Sequence, residues 1–169
     1  MKRVILSALV LTAFAVNANA QATATATATA TIVTPISITK DVDMNFGNIA
    51  VQASTGGTVI LAPAGTRTTG GGGGVTLPVV TGTVTAASFT VNGNGSYTYA
   101  ITLPSSAVTL TGPAAATMNA TAFTSTPSVT GTLTGGTQNL LVGATLTVAA
   151  AQAAGVYTSG NFNVTVNYN

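Results

Sequence analysis

The sequence predicts an all-β fold, a sandwich or barrel of short strands, and three observations carry that prediction. Thr is the commonest residue, interspersed with Val, Ile, Ala and Gly in short alternating runs, and this composition suits a pleated, half-buried surface. No window of ten or more residues spaces large apolar side chains at helical intervals. Turn signals recur every 8 to 15 residues, as they do between many short strands.

Residues 1–20 have the three parts of a secretory signal. Lys2-Arg3 is the positive start, Val4 to Val16 the apolar stretch, and Ala18-Asn19-Ala20 a small-x-small cleavage site. The alternative is an uncleaved anchor, but 13 apolar residues fall short of the roughly 20 that cross a bilayer. The expected mature chain starts at Gln21 and has 169 − 20 = 149 residues. It keeps Lys40 and Arg67 against Asp41 and Asp43, a net charge of 2 − 2 = 0. The sequence pI of about 9.3 therefore largely describes the discarded peptide. With no basic patch, nucleic-acid binding lacks its main source of affinity. Attraction to anionic lipid lacks it too, and no membrane association is expected after cleavage. The absence of Cys leaves stability to the core and the sheets. A near-neutral, β-rich chain is poorly protected against association, which suits a protein meant to polymerise.

Residues 21–31 come next, Gln21 followed by five Ala-Thr pairs. In an extended strand, side chains alternate faces. Ala22, Ala24, Ala26, Ala28, Ala30 and Ile32 then share one side, and the Thr residues the other. Ten such residues span roughly 34 Å. Three readings fit: a disordered linker, a strand completing its own domain, or a strand donated to the sheet edge of another copy. Strict alternation without Gly, Pro or Ser favours a strand over a flexible linker. Donation is energetically reasonable. Five Ala methyls contribute at most about 4 kcal/mol, and eight to ten ladder hydrogen bonds, at roughly 0.5–1.5 kcal/mol each, add at least as much. Backbone pairing would carry the affinity.

The domain, residues 32–169, reads as strands in order. Thr31–Thr39 places Ile32, Ile36 and Ile38 on one face, with Pro35 marking an edge or break. Val42–Val51 continues after a kink at Lys40-Asp41. Thr58–Ala62 ends at Pro63-Ala64-Gly65, and Gly70–Gly74 reads as a flexible loop. Val79–Thr85 is a weaker candidate. Ser88–Val91 and Ser96–Leu103 flank Asn92-Gly93-Asn94-Gly95, a tight-hairpin signal because Asn and Gly tolerate positive φ. Ala107–Thr111, Ala120–Thr124, Val129–Thr134 and Leu140–Val148 follow, then a loop over Ala149–Ala154. The last strand alternates most cleanly, with Phe162, Val164, Val166 and Tyr168 apolar between Asn161, Asn163, Thr165 and Asn167.

Chemistry-bearing residues are scarce. Without His, Cys or Glu, there is no imidazole base, no thiolate and no zinc or haem ligand set, so no catalytic residue, metal or cofactor is expected. Asp41-Val42-Asp43 lacks the further oxygens that calcium needs and reads as a solvated turn. The Gly70–Gly74 run lacks the Lys-Ser/Thr of a phosphate-binding loop, since Val75-Thr76 follows. Thr-x-Thr pairs such as Thr109-Leu110-Thr111 and Thr145-Leu146-Thr147 are too irregularly spaced for an ice-binding face. Asn94-Gly95-Ser96, Asn119-Ala120-Thr121 and Asn163-Val164-Thr165 fit the glycosylation sequon but read as chance matches. There is no Trp, and the eight aromatics of the mature chain read as core, not as a sugar-stacking platform.

Gly155-Val156-Tyr157 followed by Val164-Thr165-Val166-Asn167-Tyr168 resembles the closing strands of chaperone–usher pilins and spore-coat-U-like proteins, with Tyr168 penultimate and Gly155 14 residues from the end. Met44-Asn45-Phe46-Gly47, Ala87–Gly93, Tyr97–Pro104 and Val142–Leu146 resemble a related family of secreted bacterial domains. The resemblance implies an immunoglobulin-like sandwich that lacks one strand. A periplasmic chaperone would hold it, an outer-membrane usher would assemble it, and a neighbour's N-terminal strand would complete it. By the same analogy Phe162, Val164, Val166 and Tyr168 would flank the acceptor groove. Two departures stand out: the disulfide common in those families is absent, and the donor offers only Ala before Ile32. The expectation is a secreted or cell-surface structural subunit that forms a homopolymer. The alternative is a secreted monomeric module that binds surface glycans.

Overall fold

The structure, a computed structural model, describes residues 21–169; the expected signal peptide, residues 1–20, lies outside the described residues. The chain divides between Ile32 and Val33. Residues 21–31 are exposed and carry no strand, and Ile32 is 97% exposed.

Val33–Asn169 is built almost wholly from antiparallel strands: β1 (Ser37–Val42), β2 (Asn45–Phe46), β3 (Ala50–Val51), β4 (Gly57–Leu61), β5 (Arg67–Gly70), β6 (Val75–Thr76), β7 (Val84–Thr85), β8 (Ala87–Asn92), β9 (Thr98–Thr102), β10 (Val108–Thr111), β11 (Thr117–Thr126), β12 (Thr130–Thr132), β13 (Thr137–Val148), β14 (Thr158–Ser159) and β15 (Thr165–Tyr168). The main sheet has eight strands. Its path runs β1-β8-β13-β11-β10-β14, with β4 and β5 joined to it through β13. A three-stranded sheet, β12-β9-β15, and two small pairs, β2–β7 and β3–β6, make the second layer.

The twelve-residue β13 is the spine. It aims Leu140, Val142, Ala144, Leu146 and Val148 into the core, all 3% exposed or less, while Asn139, Thr145 and Thr147 face outward. One edge pairs with β11; the other pairs first with β8, over residues 137–142, and then with β4, over residues 144–148. Gly143 sits at that handover, where a Cβ would run into the Leu61 carbonyl. The two halves of the main sheet accordingly bury two core clusters. Under β12-β9-β15 lie Phe89, Val91, Tyr99, Leu133, Leu140, Val142 and Val166. On the β4 side lie Phe46, Val59, Leu61, Val75, Ala120, Leu146 and Val148. Apolar faces meeting across two antiparallel layers make this a β-sandwich.

Several elements differ from the sequence reading. The first strand begins at Ser37, not Thr31, because Pro35 has no N–H to pair. Val42–Val51 is two short strands separated by the Gly47 turn, where φ is +67°. Asn92-Gly93-Asn94-Gly95 is no hairpin: β8 and β9 belong to different sheets. The chain crosses between layers there, and Gly93 is required because a Cβ would strike the Tyr168 phenol and Leu133. Arg67–Gly70 is a strand on β4, and the glycine turn starts only at Gly71. Of Val79–Thr85 only Val84–Thr85 pairs, and Val79 is fully exposed. Regular pairing in the last strand is confined to Thr165–Tyr168.

Candidate functional site

The second layer does not cover the main sheet completely. Between residues 42–51 and residues 152–163 lies a cavity of about 1290 Å³. Its floor is the inner face of β10, β11 and β13: Val108, Leu110, Met118, Ala120, Phe123, Leu146 and Val148. Val108, Leu110, Met118 and Phe123 are only half-buried, although they occupy the inward positions of their strands. Local geometry puts Phe123 there. Ala122 takes a positive φ of 47° within a bulge between Thr121 and Thr124, and the extra residue turns Phe123 inward.

Residues 42–51 form one wall and residues 152–163 the other. The first wall holds β2 and β3, each paired on one side only, with β7 and β6. Neither β6 nor β7 lines the cavity. Arg67 braces this wall. Its Nη1 donates to the carbonyls of Phe46 and Asn48, and its Nη2 to that of Thr81 at 3.3 Å.

The opposite wall rests on Tyr157. Its hydroxyl donates to the Ala153 carbonyl (2.8 Å) and accepts from Gln152 Nε2 (2.9 Å), which also reaches the Thr117 carbonyl (3.2 Å). Gly112 lies against the Tyr157 ring, and Gly155 (φ +148°) lies against Pro113; neither site has room for a Cβ. Beyond the two-residue pairing of β14 with β10, the backbone of residues 154–163 makes no hydrogen bond among the described residues. The cavity is thus an apolar floor bounded on one side by the largely unpaired backbone of residues 154–163 and on the other by the short strands β2 and β3, features that suit the acceptance of an extended segment.

The residues expected to flank an acceptor groove divide. Phe162 lines the cavity, and its ring lies 5.3 Å from that of Phe123. Val164, Val166 and Tyr168 do not line the cavity and pack, as Phe162 also does, into the core beneath the three-stranded sheet, because β15 pairs with β9 and alternates inward against β8 and β13. Tyr168 is a tie: its hydroxyl accepts from the Asn94 N–H (2.6 Å) and donates to the Thr34 carbonyl (2.8 Å). The other edge of β15 has no strand partner among the described residues. Ala22, Ala24, Ala26, Ala28, Ala30 and Ile32 are all exposed. The floor residues Val108, Leu110 and Met118 were not legible as a site. Their alternation reveals a buried face, and only the topology reveals that the cover is missing. Asp41 and Asp43 have separate partners, Thr90 Oγ1 (2.8 Å) and Lys40 Nζ (2.7 Å).

A family model described as a domain of unknown function, DUF4402, matches residues 36–168. That span contains all fifteen strands and both cavity walls, and leaves out the Ala/Thr segment. No curated protein and no solved structure matches the chain. A match over 133 residues (168 − 36 + 1) of 169 shows that the chain belongs to the DUF4402 family.

Proposed function

We propose that this protein is a secreted structural subunit that polymerises into a surface fibre or matrix by donating residues 21–31 to the open groove of a neighbouring copy. The observation that carries the reading is the half-buried floor at Val108, Leu110 and Met118 beside the largely unpaired backbone of residues 154–163. The chain's own exposed Ala/Thr segment complements it. Its Ala methyls meet the floor, its Thr hydroxyls face water, and its peptide groups pair with the walls. Small side chains let the backbone approach closely. The same open floor is an association hazard before assembly. That supports the further proposal that a periplasmic chaperone covers it during export and an outer-membrane usher assembles the subunits.

The test compares the chain beginning at Gln21 with one lacking Gln21–Thr31, by negative-stain imaging and sedimentation. Polymer from the first, and folded monomer from the second, is the expected result. A synthetic Gln21–Thr31 peptide added to the truncated protein should raise its melting temperature. Two monomers that behave identically would overturn the proposal and leave the glycan-binding module as the better reading.

A further inference from the structure

We infer that the Ala/Thr segment is a register-tolerant donor, seating in the groove in any of several alignments that differ by two residues. The inference rests on the strand-donation reading above. A strand that slips by one residue turns its whole side-chain set to the opposite face, but a slip of two restores the same face. Register is therefore fixed only when some side chain fits one place and no other. Residues 22–31 are five identical Ala-Thr pairs, so a two-residue slip brings a methyl where a methyl was and a hydroxyl where a hydroxyl was, whatever the contour of the floor. Only the pair at the end is lost. The first side chain that breaks the equivalence is Ile32, in phase with the Ala face, much larger, and 97% exposed. It bounds the sliding range on the domain side. Each step shifts the neighbour by about 6.8 Å along the strand.

The chain has no cysteine, so introduced pairs report register directly. Asn161 is exposed on the groove wall, and the Thr side chains of a seated donor face the same way. Thr23→Cys, Thr25→Cys, Thr27→Cys and Thr29→Cys, each combined with Asn161→Cys, are oxidised in preformed polymer, and disulfide-linked multimers are counted on gels. Cross-linking at two or more of the four positions, with yields within about threefold of one another, is the expected result, since neighbouring strands lie within disulfide reach. Cross-linking confined to one position would overturn the inference and leave strand donation standing. Polymer with no cross-link at any of the four would overturn it by removing the segment from this wall. Failure of the parent chain to polymerise would overturn both.

A cysteine-free check uses insertions. An extra Ala-Thr pair after Thr27 keeps the assembly rate within about twofold, whereas a single Ala after Ala26 puts half the strand out of phase and slows assembly by about tenfold or more. Equal damage from both insertions would also overturn the inference.

Discussion

Arg67 shows how much one side chain organises in a chain with so few charges. Its guanidinium serves three backbone carbonyls from two segments and has no carboxylate partner among the described residues. A planar fork can reach several acceptors at once, and an ammonium cannot. Arg67→Ala should lower unfolding free energy by about 2 kcal/mol, the scale of hydrogen bonds to a charged group, and Arg67→Lys should recover less than half of it; urea titration measures both. Tyr99 sets the pH response. It is fully buried, its hydroxyl donates to Gln138 Oε1 at 2.7 Å, and burial pushes its phenol above the ordinary value of 10.0. A pKa higher in the folded state contributes stability that is fully present below the unfolded value and is lost as pH rises through the folded one. With no His to titrate near neutrality, thermal stability should be flat from about pH 6 to 9 and fall above about pH 10. Tyr99→Phe should flatten that alkaline fall from a lower plateau, because Gln138 loses a donor.

At the level of elements, what the sequence revealed depended on how far the partner lay. The strands with strong alternation, Leu140–Val148 and Ala107–Thr111, were legible because a period of two needs no partner to be seen. The Asn-Gly-Asn-Gly crossing was misread. The same residues suit a hairpin turn and a chain passing beneath the Tyr168 phenol, and which one occurs is decided 74 residues away. The strand Arg67–Gly70 was hidden because its sequence, Arg-Thr-Thr-Gly, has no apolar alternation; it is held by β4. The groove follows the same logic. Its floor strands were visible, but the missing cover belongs to the topology of the second layer. Leu110→Asp separates folding from assembly: at a half-buried position it should cost less than about 2 kcal/mol while abolishing polymer. A variant that still polymerises under the microscope would remove the floor from the proposed interface.

For the whole molecule, the charge balance decides what can drive association. Excluding residues 1–20, two basic and two acidic side chains remain, and Lys40 and Asp43 are already paired on the surface. Long-range attraction between copies is negligible, so the proposed assembly would draw on peptide pairing and apolar contact. The assembly rate should change by less than about twofold between roughly 0.01 M and 1 M sodium chloride. A strong slowing with salt, followed by light scattering, would show that charge does the steering. The all-β class was legible from composition, the absence of helical spacing and the recurrence of turn signals, which together leave little else. The proposed assembly role rests on a segment and on a cavity lined by residues from Lys40 to Asn163, and no local pattern encodes such a surface.

The Tyr168 tie has a mechanical consequence. In the proposed polymer, a neighbour pulling on residues 21–32 would deliver its tension to the domain at Val33 and Thr34, and the Thr34 carbonyl is held by the Tyr168 hydroxyl. The first bond to yield is therefore a single contact rooted in the final strand. Behind it stands the ladder of β1 on β8. A fibre of such subunits would give slightly under a tug, then stiffen, and recover once slack returned.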